Sequence, residues 1–231
     1  MVSRISVTIK KPQNLYIDKL PAVTRKAFLY CVEHLKFLAD SNWYLAGGTA
    51  LALQVGHRQS VDLDFFLPLV DFQATDLERR LVATGQWTTR FRQEGTLYGI
   101  LVGARVSFIA YPFFKPSKKR IQYGNILMLT SSDIAAMKII AVSQRGRKRD
   151  FVDLYWYCKN REQLFEVIQR AVRGYPGQED NINHILRSLV YFKDAEEDPM
   201  PKIFFDATWR EIKKYFEQEV PRITREFLGL K

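Results

Sequence analysis

Two adjacent glycines, Gly47 and Gly48, separate the apolar run Trp43-Tyr44-Leu45-Ala46 from Ala50-Leu51-Ala52-Leu53, and this pair constrains the fold more than any other feature of the 231 residues. The first run reads as a short strand, the second as a short helix that ends at Gly56, with Thr49 as its expected N-cap. A strand that turns at once into a helix needs backbone freedom at the turn, which glycine supplies. The same turn lets a ligand approach the backbone, and the first N–H groups of the helix offer partial positive charge to an anion such as a triphosphate.

Downstream, residues 60–67 alternate as a strand. In Val61-Asp62-Leu63-Asp64-Phe65-Phe66 the alternation sends Val61, Leu63 and Phe65 to one face and Asp62 and Asp64 to the other. The two carboxylates then stand roughly 6.5–7 Å apart at their Cα atoms, close enough to ligate one divalent cation or bracket two. Mg²⁺ suits them, because it takes hard oxygen ligands and is held by one or two carboxylates plus substrate phosphates. A solvated strand face with His57 and Arg58 as ion-pair partners is the alternative. The upstream turn favours the metal, since a short helix and a turn are what the chain needs to return a second strand beside the first.

Elsewhere the first half reads as mixed α and β. Helical spacing covers 22–39, through Val23, Ala27, Cys31, Leu35 and Leu38, and recurs over 72–83. Strand-like runs fall at about 87–93, 96–102 and 104–111, with Glu94-Gly95 and Gly103-Ala104 as tight connections. After Lys115-Pro116-Ser117-Lys118-Lys119-Arg120, expected as an exposed loop, strand signals are nearly absent, and helices are expected over 131–145, 149–159, 161–173, 179–192 and 207–228. The expected division is an α/β domain over 1–125 and a helical domain over 126–231.

The chain carries 35 Lys and Arg against 25 Asp and Glu, a formal +10, which fits either a polyanionic partner or a basic solvated surface. Apolar residues at 47% exclude a disordered or fibrous chain. Cys31 and Cys158 lack a CxxC spacing, so neither a disulfide framework nor a zinc site is indicated. No apolar run approaches the ~20 residues of a membrane span, and the start of the chain lacks the apolar stretch of a signal peptide, so an intracellular protein is expected. His34, His57 and His184 show no ligand spacing and read as structural.

In the second half, Ser131 or Ser132 can cap a helix with Asp133 in its first turn. Lys138 and Arg145, seven residues apart, share a face with Ile134, Met137 and Ala141. They could hold a triphosphate in a cleft, or snorkel from the edge of an ordinary apolar stripe. Asp150 and Asp153 are i,i+3 neighbours, and Arg149 is spaced to pair with Asp153. The charge crowded between Arg145 and Asp153, beside Phe151, Leu154 and Tyr155, favours contact with phosphate or organisation of a site. Lys115, Lys118, Lys119 and Arg120 follow Tyr111, Phe113 and Phe114, a combination that could touch single-stranded RNA or form a solvated loop over a core.

The residues Tyr44 to Leu53, His57-Arg58 and Val61 to Phe66, with Asp133 to Lys138 and Arg145 to Tyr155, resemble the AbiEii/AbiGii-type nucleotidyltransferase toxin family. That family lies within the DNA polymerase β-like nucleotidyltransferase superfamily. The resemblance spans roughly residues 43–157 in two blocks. It implies an α/β (α+β) fold, with a minimal nucleotidyltransferase mixed sheet, flanking helices and a helical C-terminal domain. It also implies Mg²⁺, with Mn²⁺ as a substitute, an NTP substrate, and transfer of NMP to an acceptor hydroxyl on tRNA or another RNA. A cytoplasmic toxin of a type IV toxin–antitoxin or abortive infection system is implied, with a separately encoded antitoxin and no membrane partner. The expected metal ligands are Asp62 and Asp64. The expected nucleotide-binding set is Gly47, Gly48, Thr49, Arg58, Lys138, Arg145 and Arg149; Lys138, Asp150 and Asp153 join the two metal ligands as expected catalytic residues. Val106-Ser107-Phe108 offers Ser107 where the superfamily's third carboxylate is expected. That departure keeps open a catalytically silent nucleotide- or RNA-binding member, beside enzymes acting on a protein or a small molecule.

Overall fold

A computed structural model describes residues 8–10, 14–178 and 181–227. Residues 1–7, on which the expected absence of a signal peptide rests, the first residues of the helix expected at 179–192 and the last of that expected at 207–228 lie outside the described residues. The chain divides into two compact units, Met1–Ser131 and Ser132–Lys231.

The first unit is built on one eight-stranded mixed sheet in the order β1-β7-β8-β2-β3-β6-β5-β4. Its strands are β1 (Thr8–Lys10), β2 (Tyr44–Ala46), β3 (Leu63–Leu67), β4 (Trp87–Gln93), β5 (Thr96–Leu101), β6 (Ala104–Ala110), β7 (Lys119–Tyr123) and β8 (Ile126–Leu129). Its helices are α1 (Ala22–His34), α2 (Gly47–Val55) and α3 (Ala74–Val82). At the centre β3 runs antiparallel to β2 and parallel to β6, with Ala46 opposite Asp64 and Asp64 opposite Ser107. The mixed α/β fold expected from the sequence is therefore present, and the short α2 does return β3 to the flank of β2.

Alternation along β3 and β6 makes the core. Leu63, Phe65, Val106 and Phe108 are buried. Phe65 and Phe108 stack at 5.1 Å, and Trp43 and Trp87 meet the Phe108 ring at 5.3 and 6.2 Å. Because strand side chains alternate, the same geometry delivers Asp64 and Ser107 to the opposite face on a rigid aromatic backing.

Local differences from the sequence expectations have identifiable causes. Helix α1 stops at His34, because Leu35 leaves helical dihedrals at φ −88°, ψ 66° and a 3₁₀ turn over Lys36–Leu38 follows. Its buried face is Thr24, Ala27, Phe28 and Cys31, while Val23 is exposed. Strand β3 starts only at Leu63, leaving Val61 exposed. The β7–β8 hairpin was hidden by its charge: Lys119 and Arg120 read as loop, yet both lie in β7. Arg120 is buried there, with its guanidinium 5.4 Å from the Tyr44 ring centroid and a 2.8 Å hydrogen bond to the Lys119 carbonyl. Phe114 is buried, whereas Phe113, Lys115, Lys118 and Lys119 are exposed.

The second unit is helical: α4 (Ser131–Arg145), α5 (Lys148–Asn160), α6 (Leu164–Gly174), α7 (Ile182–Ser188), α8 (Lys193–Glu196) and α9 (Trp209–Phe227). Phe151 of α5 centres its core, with Phe192, Phe216 and Trp209 at 5.2, 5.4 and 5.8 Å. A capping box between Gln163 and Glu166 starts α6. No described helix is long and apolar enough to cross a membrane.

Candidate active site

The two glycines have separate jobs. Gly47 adopts φ +70°, and a Cβ there would stand 3.0 Å from Asp64 Oδ2. A Cβ on Gly48 would collide with the Arg58 guanidinium at 2.3 Å. The turn thus lies directly on the Asp64 carboxylate and on buried Arg58, whose Nη1 donates to the Gln59 carbonyl at 2.8 Å. Helix α2 begins at Gly47 itself, so Thr49 sits inside the first turn and is not the N-cap. Its buried hydroxyl donates instead to the Asp62 carbonyl, tying the helix start to the chain that carries the acid pair. Gly56 closes α2 in the left-handed conformation, φ +65°, as its position implied.

Asp62 and Asp64 line one cleft of about 260 Å³ together with Arg90, Tyr98, Arg105 and Ser107. Two contacts cross from β6 to the acid pair. Ser107 Oγ donates to Asp64 Oδ1 at 2.6 Å, and Arg105 Nε donates to Asp62 Oδ1 at 2.7 Å. Arg105 and Ser107 repeat on β6 the two-residue spacing of Asp62 and Asp64, which is how parallel neighbours bring four side chains into two pairs. On β5, Tyr98 stands opposite Ser107. Burial, and then the Asp64 charge, push the Tyr98 phenol above its ordinary range, so it stays a neutral donor at physiological pH.

Arg90, Tyr98 and Arg105 were not singled out in the sequence. Arg105 carried a usable signal, its register with Ser107. Arg90 did not, because its placement depends on an irregularity: the β4–β5 register shifts between Thr89 and Phe91. Such a bulge re-aims a side chain and is common beside active sites.

The expected residues of the second block gather in the second unit. Lys138 Nζ lies 2.5 Å from Asp150 Oδ1 and 2.7 Å from Asp153 Oδ2, with all three side chains at 5% exposure or less. Arg145 adds Nε to Asp150 Oδ2 at 3.0 Å. Burial raises the Asp150 carboxyl, but the adjacent charges and hydrogen bonds of Lys138 and Arg145 outweigh it and hold the group below the usual carboxylate range. Asp153 thus pairs with Lys138, a partner its helical spacing to Arg149 did not suggest. Arg149 is exposed. The neighbouring Lys148 and Arg147 engage Asp198: the Lys148 backbone N–H donates to its Oδ2 at 3.0 Å, and Arg147 Nη2 lies 2.5 Å from its Oδ1.

The donor chemistry of the cleft fits a hard divalent cation: two carboxylates converge on it beside a hydroxyl. Among the described residues no group of three or more His, Cys, Asp and Glu gathers as a metal site, so the protein's contribution in this cleft is the two carboxylates. Cys31 is fully buried, and burial pushes its thiol far up; that of Cys158 is pushed up to about 12, so neither is a nucleophile.

Comparison with known proteins gives the family and the fold. A family model described as nucleotidyl transferase AbiEii toxin, type IV TA system, matches residues 31–124 and 111–228. An uncharacterized protein of Aquifex aeolicus (strain VF5) is 33% identical over 187 residues, which cover 78% of this chain and 87% of that protein. The crystal structure of JHP933 from Helicobacter pylori shares the fold at TM-score 0.50 and 16% identity, over 89% of this chain and 92% of the other. A second H. pylori structure, provisionally described as a nucleotidyltransferase, matches at TM-score 0.50 and 16% identity over 90% and 96%. With the family model covering most of the chain, the protein belongs to the AbiEii nucleotidyltransferase toxin family of type IV toxin–antitoxin systems.

Proposed function

We propose that the protein is a Mg²⁺-dependent nucleotidyltransferase that moves NMP from an NTP to the 3′ hydroxyl of a tRNA. It would act as a cytoplasmic toxin restrained by a separately encoded antitoxin. The observation that carries the chemistry is the convergence of Asp62 and Asp64 on one cleft, with the Gly47 turn against Asp64. The acceptor and the antitoxin are carried over from the family.

In the reaction the acceptor oxygen attacks the α-phosphorus, forming a new O–P bond. The bond from that phosphorus to the bridging oxygen breaks, pyrophosphate leaves with the electron pair, and the hydroxyl proton is lost to water. Asp62 and Asp64 would hold Mg²⁺, which when bound neutralises triphosphate charge and orients the reacting groups. Gly47 and Gly48 keep the turn free of side chains, so phosphate oxygens can reach the first N–H groups of α2. Thr49 fixes the Asp62 backbone, and Arg58 fills the space behind Gly48. Ser107 holds the rotamer of Asp64, and Arg105 compensates Asp62 until metal and substrate arrive. In this reading Lys138, Asp150 and Asp153, with Arg145, organise the second unit electrostatically, since Lys138 could meet a triphosphate only by abandoning two buried carboxylates.

The test is incubation with Mg²⁺, each α-³²P-labelled NTP in turn and total bacterial RNA, comparing wild type with Asp64→Ala on a denaturing gel. A labelled tRNA-sized band lost in the variant is expected. Label on protein alone would redirect the assignment to protein modification. A second reading, a nucleotide or RNA binder without turnover, draws on Ser107 and Arg105, which occupy the β6 positions facing the acid pair. It requires binding with no label under Mg²⁺ or Mn²⁺.

A further inference from the structure

We propose that the β6–β5–β4 side of the cleft, formed by Arg105, Tyr98 and Arg90 with Phe91 against Tyr98, is the platform on which an unpaired end of a single-stranded nucleic acid acceptor docks. For its chemistry the proposal rests on the nucleotidyltransfer reading above. Its location rests on four observations.

First, the register runs in a row across the sheet, from Asp64 to Ser107 to Tyr98 to Phe91. Tyr98 is thus two strands from the carboxylate, roughly 10 Å at ordinary strand spacing. A terminal nucleotide resting on that ring keeps its hydroxyl near the acid pair. Second, Tyr98 and Phe91 stack on each other at 5.8 Å and 29°, yet remain 40% and 45% exposed. Paired rings presented to solvent on a sheet are a stacking surface for a base, and a base can use it only when it is not already stacked in a duplex.

Third, the charge beside the rings is positive and uncommitted where it matters. The Arg90 side chain is exposed and makes no hydrogen bond or ion pair among the described residues, although the register shift at Thr89/Phe91 aims it into the cleft. The next arginine, Arg92, is engaged by Glu78. Arg105 meets Asp62 with Nε, and its side chain remains 69% exposed. A basic groove with interleaved aromatics matches the phosphate and base pattern of a single strand. Fourth, the platform ends at β4, the edge of the sheet, so a strand entering the cleft can leave without obstruction from a further strand. Gly99, the next residue on β5, faces the other side of the sheet, where a Cβ would strike the buried Trp87 ring at 2.3 Å, so the strand carrying Tyr98 lies directly on the aromatic core.

The test is direct binding, read by fluorescence anisotropy, of a short 5′-fluorescein single-stranded RNA and of the same RNA annealed to its complement. Wild type is compared with Tyr98→Ala, Tyr98→Phe and Arg90→Ala, each checked for an unchanged melting temperature. Tyr98→Ala is expected to weaken single-strand binding about fivefold or more, the loss of one base stack, while Tyr98→Phe retains it. Arg90→Ala is expected to lower the salt dependence, log K against log salt, by about 0.7, one phosphate contact on a single strand. The proposal is overturned if wild type does not bind the single strand, if Tyr98→Ala binds it as wild type does, or if the duplex binds equally well. It is also overturned if Tyr98→Ala raises KM for the NTP and not for the acceptor. Tyr98-dependent binding without label transfer would sink the enzymatic reading and leave the platform standing; label transfer with unchanged acceptor KM in Tyr98→Ala would do the reverse.

Discussion

Replacing Lys138 by methionine separates the two roles open to that side chain. Lys138 is bonded to Asp150 and Asp153, whose carboxylates are fully buried. Removing the cation while leaving the anions strands buried charge, a change that costs about 3–5 kcal/mol in comparable pairs. Arg145 remains on Asp150 at 3.0 Å and keeps part of its compensation. The pH dependence follows from the sign of the shift. In wild type the Asp150 carboxyl is held below its ordinary value, so its contribution is complete above the unfolded pKa of about 3.9 and is lost as pH falls through the lower folded value. In Lys138→Met, Asp150 loses the Lys138 charge that offsets its burial and its carboxyl moves upward, so the deficit is greatest near neutral pH and narrows as acid neutralises the group. Urea unfolding at about pH 7 and about pH 5 measures both. Adding Asp150→Asn and Asp153→Asn to the variant should recover most of the stability. If Lys138→Met unfolds within about 1 kcal/mol of wild type at neutral pH while label transfer is abolished, the structural role is wrong and Lys138 belongs on the substrate.

Gly47→Ala should lower stability by about 1–2 kcal/mol, the cost of a left-handed residue bearing a Cβ, and should lower transfer further by displacing Asp64; melting and label transfer report the two effects. Phe108→Ala, which empties the ring cluster behind the acid pair, should cost about 3–5 kcal/mol in denaturant unfolding. Arg105→Ala should increase Mn²⁺ affinity in the absence of nucleotide, measured by titration calorimetry, because a competing cation leaves Asp62; unchanged affinity would count against the ion pair as a placeholder. Chelation of divalent metal should abolish label transfer, and Mg²⁺ should restore it.

The parts of the site that could be read in advance are those governed by short-range rules. Gly47-Gly48 marked a turn because no other residue takes φ +70° at comparable cost, and the structure adds why a second glycine follows, the Arg58 guanidinium pressed against Gly48. The alternation Asp62-Leu63-Asp64-Phe65 separated polar from apolar faces because strand geometry has period two, and Leu63 and Phe65 are indeed core. Thr49 shows where local rules stop. Its composition suits a cap, but the helix starts two residues earlier, and its hydroxyl answers to a carbonyl thirteen residues away. The β7–β8 hairpin was not legible because Arg120 reads as surface, whereas an aromatic neighbour from β2 and nearby carbonyls help make its burial tolerable.

By itself the sequence determined that a strand, a glycine turn, a short helix and an acid-bearing strand succeed one another, and that the second half is helical, since propensity and periodicity act over a few residues. The tertiary structure alone decided what faces the acid pair. Strand order brought β6 beside β3, setting Ser107 on Asp64 and Arg105 on Asp62, and a one-residue register shift in β4 turned Arg90 into the same cleft. It likewise decided that Lys138 is held between Asp150 and Asp153. Such partners are chosen by packing and by the cost of leaving charge unpaired in the interior, which sequence spacing does not encode.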